Sequence, residues 1–494
     1  MDEPTEPTAP TEPTEPTAPT ASIVSGARLS TRHAWILFSV VFAGFLFQVD
    51  GCVVNISLPT LARHFGVSTG KISLVVLSYL LVVSSTLPLF GKLADRLGLR
   101  TVFLLGYSVF VSGTLLCGLA PGLGILLLAR CVQGLGGAML LTSAFAGIPR
   151  FMPPEVAGWS FGILSTASGI GLTVGAPLGG FVSGLLSWKW IFLGQVPIAL
   201  VALAIGWKVV PREELPPAAS AKPFDVPGTL LSILFLFPAL YGLSSGHEAG
   251  WASTSTIACF VTALVSLAGL VAWERRCPDP IVSLELLRER AFVSPLLGRV
   301  VGSVASGGIL FLLPFYLELA KGLRAEQSSL VLMVYSVVLM LVAPLAGKVS
   351  DHHPPRTVSS RAMLSGVLAC AAFAGALYLP GLAPVLGFIC WIALTYGFFF
   401  PSNNLLVMRA IPPHLLGSAS GVLATAWTLG TSIGVSLFET VFAARVALAG
   451  AAPDAHGLAS VPLPALLSGF RGSFLLGAIG CGVAMAYCLR SEAR

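Results

Sequence analysis

Short polar stretches cut the chain into about fourteen apolar blocks of roughly 20 residues, and nothing else in the sequence restricts its fold so strongly. A block of that length suits a helix crossing a hydrocarbon core about 30 Å thick; strands of a membrane barrel are half as long and alternate in polarity. Composition agrees: 55% of the 494 residues are hydrophobic and 10% charged, with mean hydropathy +0.87, against roughly 25% charged residues in soluble domains. The expectation is an all-α integral membrane protein embedded in a lipid bilayer. A net charge of +6 reflects basic loops on one side of the membrane and does not point to nucleic acid. The nine cysteines fall mostly inside apolar runs, without metal or disulfide spacing, and read as small buried hydrophobes.

The spans are expected at 34–58, 72–92, 101–119, 123–146, 158–186, 190–210, 227–246, 254–273, 291–319, 327–348, 360–380, 384–408, 415–443 and 467–489. An even number puts both termini on one side. Roughly 20 Lys and Arg, among them Lys92, Arg212, Arg275 and Arg356, fall on that side against roughly 7 on the other, so both termini are expected in the cytoplasm. Residues 1–30 contain EPTEPTAPT twice over, an acidic, proline-rich unit without apolar anchors that reads as a disordered tail. It lacks the basic start of a secretory signal. The linkers PREELPPAASAKPFD (211–225) and ERRCPDPIVSLELLRER (274–290) bracket a helix pair almost free of charge. The chain therefore parses as a six-helix bundle at 31–210, linkers with an inserted pair at 211–290, and a second six-helix bundle at 291–494, with a pathway between the bundles.

An internal repeat supports that division. GKLADRLGLR at 91–100 and GKVSDHHPPR at 347–356 share Gly, Lys, Asp and the final Arg at equal offsets. The first copy resembles the signature loop between the second and third helices of the major facilitator superfamily. The resemblance implies the major facilitator fold and makes Gly91, Asp95, Arg96 and Arg100, with Asp351 in the echo, parts of a cytoplasmic conformational latch. Physically, Gly91 admits a close helix approach and Asp95 suits a helix-terminal partner across the bundle interface. His352 and His353 have no companion ligands, and no metal site is expected.

Three further stretches resemble the branch of drug:proton antiporters with 14 helices: VDGCVVNISLPTL (49–61), LLARCVQGLGGAML (127–140) and the glycine-rich GIGLTVGAPLGG (169–180), with WKWIFLGQVPIAL (188–200) matching the entry of the sixth span. Two positions depart from the family pattern. Ala176 displaces Pro177 by one position, and Gln195 stands where Asn is usual. Gly171, Gly175 and Gly179 fall on one helix face that another helix can approach at backbone distance, and Gly180 and Pro177 complete the motif. Such a smooth, bent face suits either rocking between bundles or static close packing.

The first span carries an acid, Asp50, and a carboxylate at bilayer depth costs several kcal/mol unless paired, hydrated or protonated. It lies about 16 residues in from the terminal side, roughly 24 Å along the helix, while Arg130 on the antiparallel fourth span lies about 10 Å below the opposite surface. The depths allow contact, and a buried Arg favours a nearby carboxylate. Competition of Arg130, a proton and substrate for Asp50 is one reading; a fixed pair that only locks helices is a second, and a cap on a helix break at Gly51 a third.

For substrate contact the sequence offers TYGFFFPSNNLLV (395–407), where Tyr396, Phe398, Phe399 and Phe400 supply aromatic walls and Asn403 and Asn404 supply amides; the alternative is asparagines that only join neighbouring helices. Asp50, Asn55 and Gln133 are further candidates, and Glu318 and Glu439 are either vestibule acids or solvated residues near the outer surface. There is no Walker loop, metal cluster or nucleophile–base set, so an enzyme is not expected. The resemblance implies a monomeric exporter in a bacterial inner membrane. It would exchange protons for amphipathic, lipophilic or cationic small molecules, as in antibiotic resistance, with the proton gradient as energy source and no cofactor. Export of one natural product, peptide or lipid, or uptake by symport, are the alternatives.

Overall fold

Caps and turns start and stop the helices near the ends of the apolar blocks. In the computed structural model, which describes residues 30–67, 69–212, 224–281, 286–450 and 461–491, Ser30 accepts a hydrogen bond from the His33 N–H at the start of α1 (Thr31–Phe65), and Gly66, at φ 62°, closes that helix. Gly98, at φ 85°, lets α2 (Thr69–Leu97) turn directly into α3 (Leu99–Gly118). The first bundle is completed by α4 (Leu123–Phe151), α5 (Ala157–Leu185) and α6 (Trp190–Val209). The inserted pair is α7 (Val226–Ala249) and α8 (Thr254–Glu274). The second bundle comprises α9 (Arg290–Phe315), α10 (Ala325–His352), α11 (Pro355–Ala376), α12 (Ala383–Arg409), α13 (Leu416–Leu448) and α14 (Leu463–Arg490). Among the described residues, 14 helices are long and apolar enough to cross a membrane, and there is no strand. Residues 1–29, read above as a disordered tail, and 213–223 of the first linker lie outside the described residues.

Several helices overrun the hydropathy blocks. The first continues through Pro59 to Phe65 instead of stopping at 58, because proline removes a single N–H while the fully buried Leu61 holds the extra turns against the bundle. The eleventh starts at Pro355 rather than 360, since proline at a first helical position lacks only an N–H that has no helical partner anyway. Hydropathy marks the lipid-embedded length of a helix, not its hydrogen-bonded length.

Within each bundle the helices pack on one another, and between the bundles α2 lies along α13 and α5 along α10. The inserted pair sits outside them: α7 packs on α8 and leans on both α2 and α13, where Ser436 Oγ donates to the Leu243 carbonyl (3.1 Å). Asp225 starts α7 by accepting from the Gly228 N–H (2.8 Å) and ties it to α8 by accepting from the Trp273 indole (2.7 Å). In the second bundle Phe373 stacks on Phe388 with centroids 4.1 Å apart, and Tyr316 and Phe474 meet Phe373 edge-on. The outer faces carry large apolar side chains such as Leu264 (68% exposed) and Leu341 (61%), as a lipid-facing surface requires.

Candidate functional site

Three helices of the first bundle bring buried polar side chains to one point. Asp50 comes from α1, Arg130 and Gln133 from α4 and Gln195 from α6, and the first three are fully buried. Arg130 Nη1 donates to Asp50 Oδ2 (2.8 Å) and to Gln133 Oε1 (2.7 Å), and its Nε donates to the Val75 carbonyl of α2 (3.1 Å). Gln133 Nε2 donates to Asp50 Oδ1 (2.9 Å) and Thr114 Oγ1 (2.8 Å), and Gln195 Nε2 reaches the same Asp50 oxygen at 3.4 Å. Both carboxylate oxygens therefore have donors, which is the condition for burying a charge. The guanidinium also lies 4.1 Å from the Tyr79 ring centroid. Because α1 is unbroken through Gly51, the reading of Asp50 as the cap of a helix break is corrected.

Glycines allow this convergence. A methyl group at Gly113 of α3 would lie 2.5 Å from the Gln133 backbone nitrogen. On α5, methyls at Gly171, Gly175 and Gly179 would lie 3.0, 2.7 and 2.7 Å from Gln48 Cβ, Cys52 Cβ and the Val53 carbonyl. The glycine face thus meets a helix at backbone distance, but that helix is α1 of the same bundle. It seats Asp50; it is not an interface between bundles. Gly180 and Pro177 are exposed and lie off that face.

The two repeat aspartates occupy equivalent places across the bundle interface. Asp95 of α2 accepts from the N–H groups of Gly417 and Ser418 (both 2.7 Å) and from Ser418 Oγ (2.6 Å) at the start of α13. Asp351 of α10 accepts from the N–H groups of Gly158 (2.7 Å) and Trp159 (2.8 Å) at the start of α5. Each carboxylate caps a helix N-terminus of the other bundle, where the orphan N–H groups and the helix dipole favour an anion. Gly91 permits the approach, since a methyl there would lie 2.5 Å from the Gly417 carbonyl. Lys92 and Arg96 pair with Asp279 of the second linker, Arg96 at 3.3 Å, and Arg100 donates to the Trp207 carbonyl (2.7 Å). The bundles are locked together on the side that carries the termini.

Between the bundles lies a cavity of about 490 Å³. Its wall includes Phe47 and Gln48 of α1, Ser168 of α5, Arg299 of α9, Phe400 and Asn404 of α12 and Trp427 of α13. Phe47 also meets Tyr79, with centroids 5.9 Å apart, and Tyr79 lies against Arg130, so one aromatic layer made of these two rings stands between the cavity and the Arg130–Asp50 pair.

Of the residues expected to touch substrate, Phe400 and Asn404 line this cavity. Asp50 and Gln133 stand one aromatic layer behind it. Asn55 and Glu318 are exposed and Glu439 is half-buried beyond Val435, the last wall residue of α13. Tyr396 and Phe399 are packed into the second bundle, Tyr396 Oη 3.9 Å from Cys481 Sγ and Phe399 against Gly302. Asn403 donates to the Pro295 carbonyl (3.1 Å) and ties α12 to α9. The reason is helical phase: positions 396, 399 and 403 share one face and 400 and 404 the next. Arg299 was missed, although LLGRVVGSVASGG places it nine residues into its helix, an intramembrane charge as conspicuous as Asp50. Asp279 carried no signal beyond an acid between two prolines. Among the described residues, no cluster of three or more His, Cys, Asp or Glu could hold a metal ion.

The two asparagines should separate by experiment. Asn403→Ala is expected to cost about 1 kcal/mol, read as a lowered Tm, by removing the side-chain hydrogen bond that ties α12 to the Pro295 carbonyl of α9, with transport unchanged. Asn404 Oδ1 has no hydrogen-bond partner to lose. Asn404→Ala is therefore expected to keep its Tm and to shift half-saturating substrate concentration by about threefold or more. The reverse pattern would remove Asn404 from the site.

The comparisons agree with this architecture. The family model described as Major Facilitator Superfamily matches residues 36–435. The riboflavin transporter RibZ of Clostridioides difficile is 29% identical over 83% of this chain and 89% of its own length. A multidrug resistance protein B homolog of Mycobacterium tuberculosis is 30% identical over 81% of this chain and 74% of its own. The solved proton:xylose symporter XylE superposes with TM-score 0.64 at 14% identity, over 92% of this chain and 95% of that one, a likeness of fold. By family match, fold and helix order, the chain belongs to the major facilitator superfamily, and its fourteen spans fit the drug:proton antiporter branch.

Proposed function

We propose that this chain is a proton-coupled exporter that moves amphipathic, lipophilic organic compounds out of a bacterial cell by alternating access, with both termini in the cytoplasm. The observation that carries the reading is the sealed Asp50–Arg130 pair, one aromatic layer from a cavity between two latched bundles. A proton reaching Asp50 neutralises the carboxylate and leaves the Arg130 guanidinium buried without a counter-charge, which costs several kcal/mol. That cost is relieved when the Tyr79 and Phe47 rings repack and admit water, and Phe47 transmits the change to the cavity wall. The bundles are biased to the opposite arrangement, and loss of the proton there restores the pair. Cationic cargo, among the sequence expectations, finds no support in the wall, which carries no acid among the described residues.

The names of the two relatives, one a riboflavin transporter and one a multidrug resistance protein homolog, support organic small-molecule cargo. The first favours a second reading, a transporter dedicated to one compound; resistance to a single member of a toxin panel in an efflux-deficient host would select it. The exporter reading is tested in proteoliposomes with an imposed pH gradient, using riboflavin and a set of amphipathic dyes as probes. Asp50→Asn is expected to cut gradient-driven flux about tenfold or more, equivalent to about 1.4 kcal/mol. Undiminished flux in that variant sinks the coupling role.

A further inference from the structure

Arg299 is buried, charged and unanswered. Its side chain on α9 is 3% exposed, Nε and Nη1 have no hydrogen-bond partner, and no carboxylate among the described residues forms an ion pair with it. It stands against the Phe400 ring, whose centroid is 4.4 Å from the guanidinium carbon. Arg130 shows the contrast: its Nη2 is also unpartnered, but Nη1 donates to a carboxylate and an amide and Nε to a backbone carbonyl, so its charge is answered. An uncompensated buried charge costs several kcal/mol, and the Phe400 ring returns only part of that cost at Arg299. The return is available from outside, because among the described residues Arg299 is the one charged residue on the wall of the inter-bundle cavity.

We infer that the cavity binds organic anions: amphipathic molecules whose carboxylate, sulfonate or phosphate group pairs with Arg299 and whose flat apolar body lies among Phe47, Phe145, Phe311 and Trp427. The planar guanidinium presents paired N–H donors in the geometry such groups accept, and stacking on Phe400 fixes its plane. Ser168, Ser306 and Asn404 on the same wall supply secondary hydrogen bonds. A volume of about 490 Å³ falls in the usual range of about 300–1,000 Å³ for small-molecule sites. A cationic amphiphile would instead face a fixed positive charge with no acid to offset it. The inference rests on the cavity being the transport site and narrows the chemical class it takes.

The test is equilibrium binding to the full-length protein in nanodiscs of neutral lipid, with no ion gradient. Three probes share one aromatic body: 2-naphthalenesulfonate, 2-naphthalenesulfonamide and a naphthylmethyl trimethylammonium. The wild type is expected to bind the sulfonate about tenfold or more tighter than the neutral sulfonamide and to bind the cation least. Arg299→Gln should erase that preference by weakening the sulfonate while leaving the sulfonamide within about threefold, and Arg299→Lys should keep part of it. Thermal unfolding without ligand guards against a trivial loss: Arg299→Gln is expected to melt at or above the wild-type temperature, since the charge removed had no counter-ion. A lower Tm would reveal a structural ion pair and overturn the inference. So would absence of sulfonate binding, equal binding of the three probes, or displacement of the sulfonate by sodium sulfate at equal potency, which would mark an inorganic anion site. Intact Arg299-dependent binding with no gradient-driven export removes the exporter reading alone; Asp50-dependent export of the cation, indifferent to Arg299, removes this inference alone.

Discussion

Arg130→Met, with Asp50 left in place, is expected to destabilise the folded protein by about 3–5 kcal/mol, the range found when one member of a buried ion pair is removed. The guanidinium supplies Asp50 with its counter-charge and links α1, α2 and α4 through Asp50, the Val75 carbonyl and Gln133. Without it a fully buried carboxylate keeps only the amides of Gln133 and Gln195. The paired replacement Asp50→Asn with Arg130→Met is expected to recover most of the loss, because both charges leave together and the Asn carbonyl still accepts from Gln133. Thermal unfolding of the purified variants measures both outcomes, and equal instability of the single and paired variants would show that charge imbalance is not the cause. Transport separates the remaining alternative: if the pair is only a fixed lock between helices, the refolded double variant transports; if it is the coupling device, the variant folds and does not.

A second large effect is expected at the latches. Asp95 receives three hydrogen bonds of 2.6–2.7 Å and Asp351 two of 2.7 and 2.8 Å. Hydrogen bonds to a charged group contribute about 1.5–3 kcal/mol each. Asparagine has one acceptor and no charge, so Asp95→Asn with Asp351→Asn removes at least one such bond per latch together with the attraction of each helix N-terminus. The combined loss of several kcal/mol approaches the roughly 5.5 kcal/mol that takes a two-state equilibrium from 99:1 to 1:99. Spin labels at the exposed Glu155 and His414, on opposite bundles at the locked side, should report a short distance in the wild type and a longer population in the double variant. Each single variant should move the distribution part of the way. Distances unchanged in the double variant would mean that glycine-mediated packing, not the carboxylates, holds that side closed.

How much of this was readable beforehand varied from residue to residue for physical reasons. The Asp50–Arg130 pair was legible because opposite charges in antiparallel spans can be compared for depth by counting residues. The matched offsets of Asp95 and Asp351 were equally plain, but their partners were not, since backbone N–H groups at a helix start carry no side-chain signature. Gly171, Gly175 and Gly179 announced close packing without naming α1 as the helix received. In TYGFFFPSNNLLV the aromatic and amide content was visible while its assignment to faces was not. A membrane helix is apolar toward lipid, core and cavity alike, so hydropathy cannot distinguish the face of Tyr396, Phe399 and Asn403 from that of Phe400 and Asn404.

By itself the sequence determined the fourteen spans, the six-two-six order, the mirrored latch acids and the demand of Asp50 for a counter-charge. All of these follow from the cost of placing peptide groups and charges in hydrocarbon, which depends on local length and composition. Tertiary structure alone decided that Asp50 is sealed away from the cavity, that α5 glycines seat α1, and that Arg299 stands on the cavity wall with Nε and Nη1 lacking acceptors. Those outcomes depend on distances between side chains on helices far apart in the chain, and a charge is satisfied or orphaned only by what stands within about 4 Å of it.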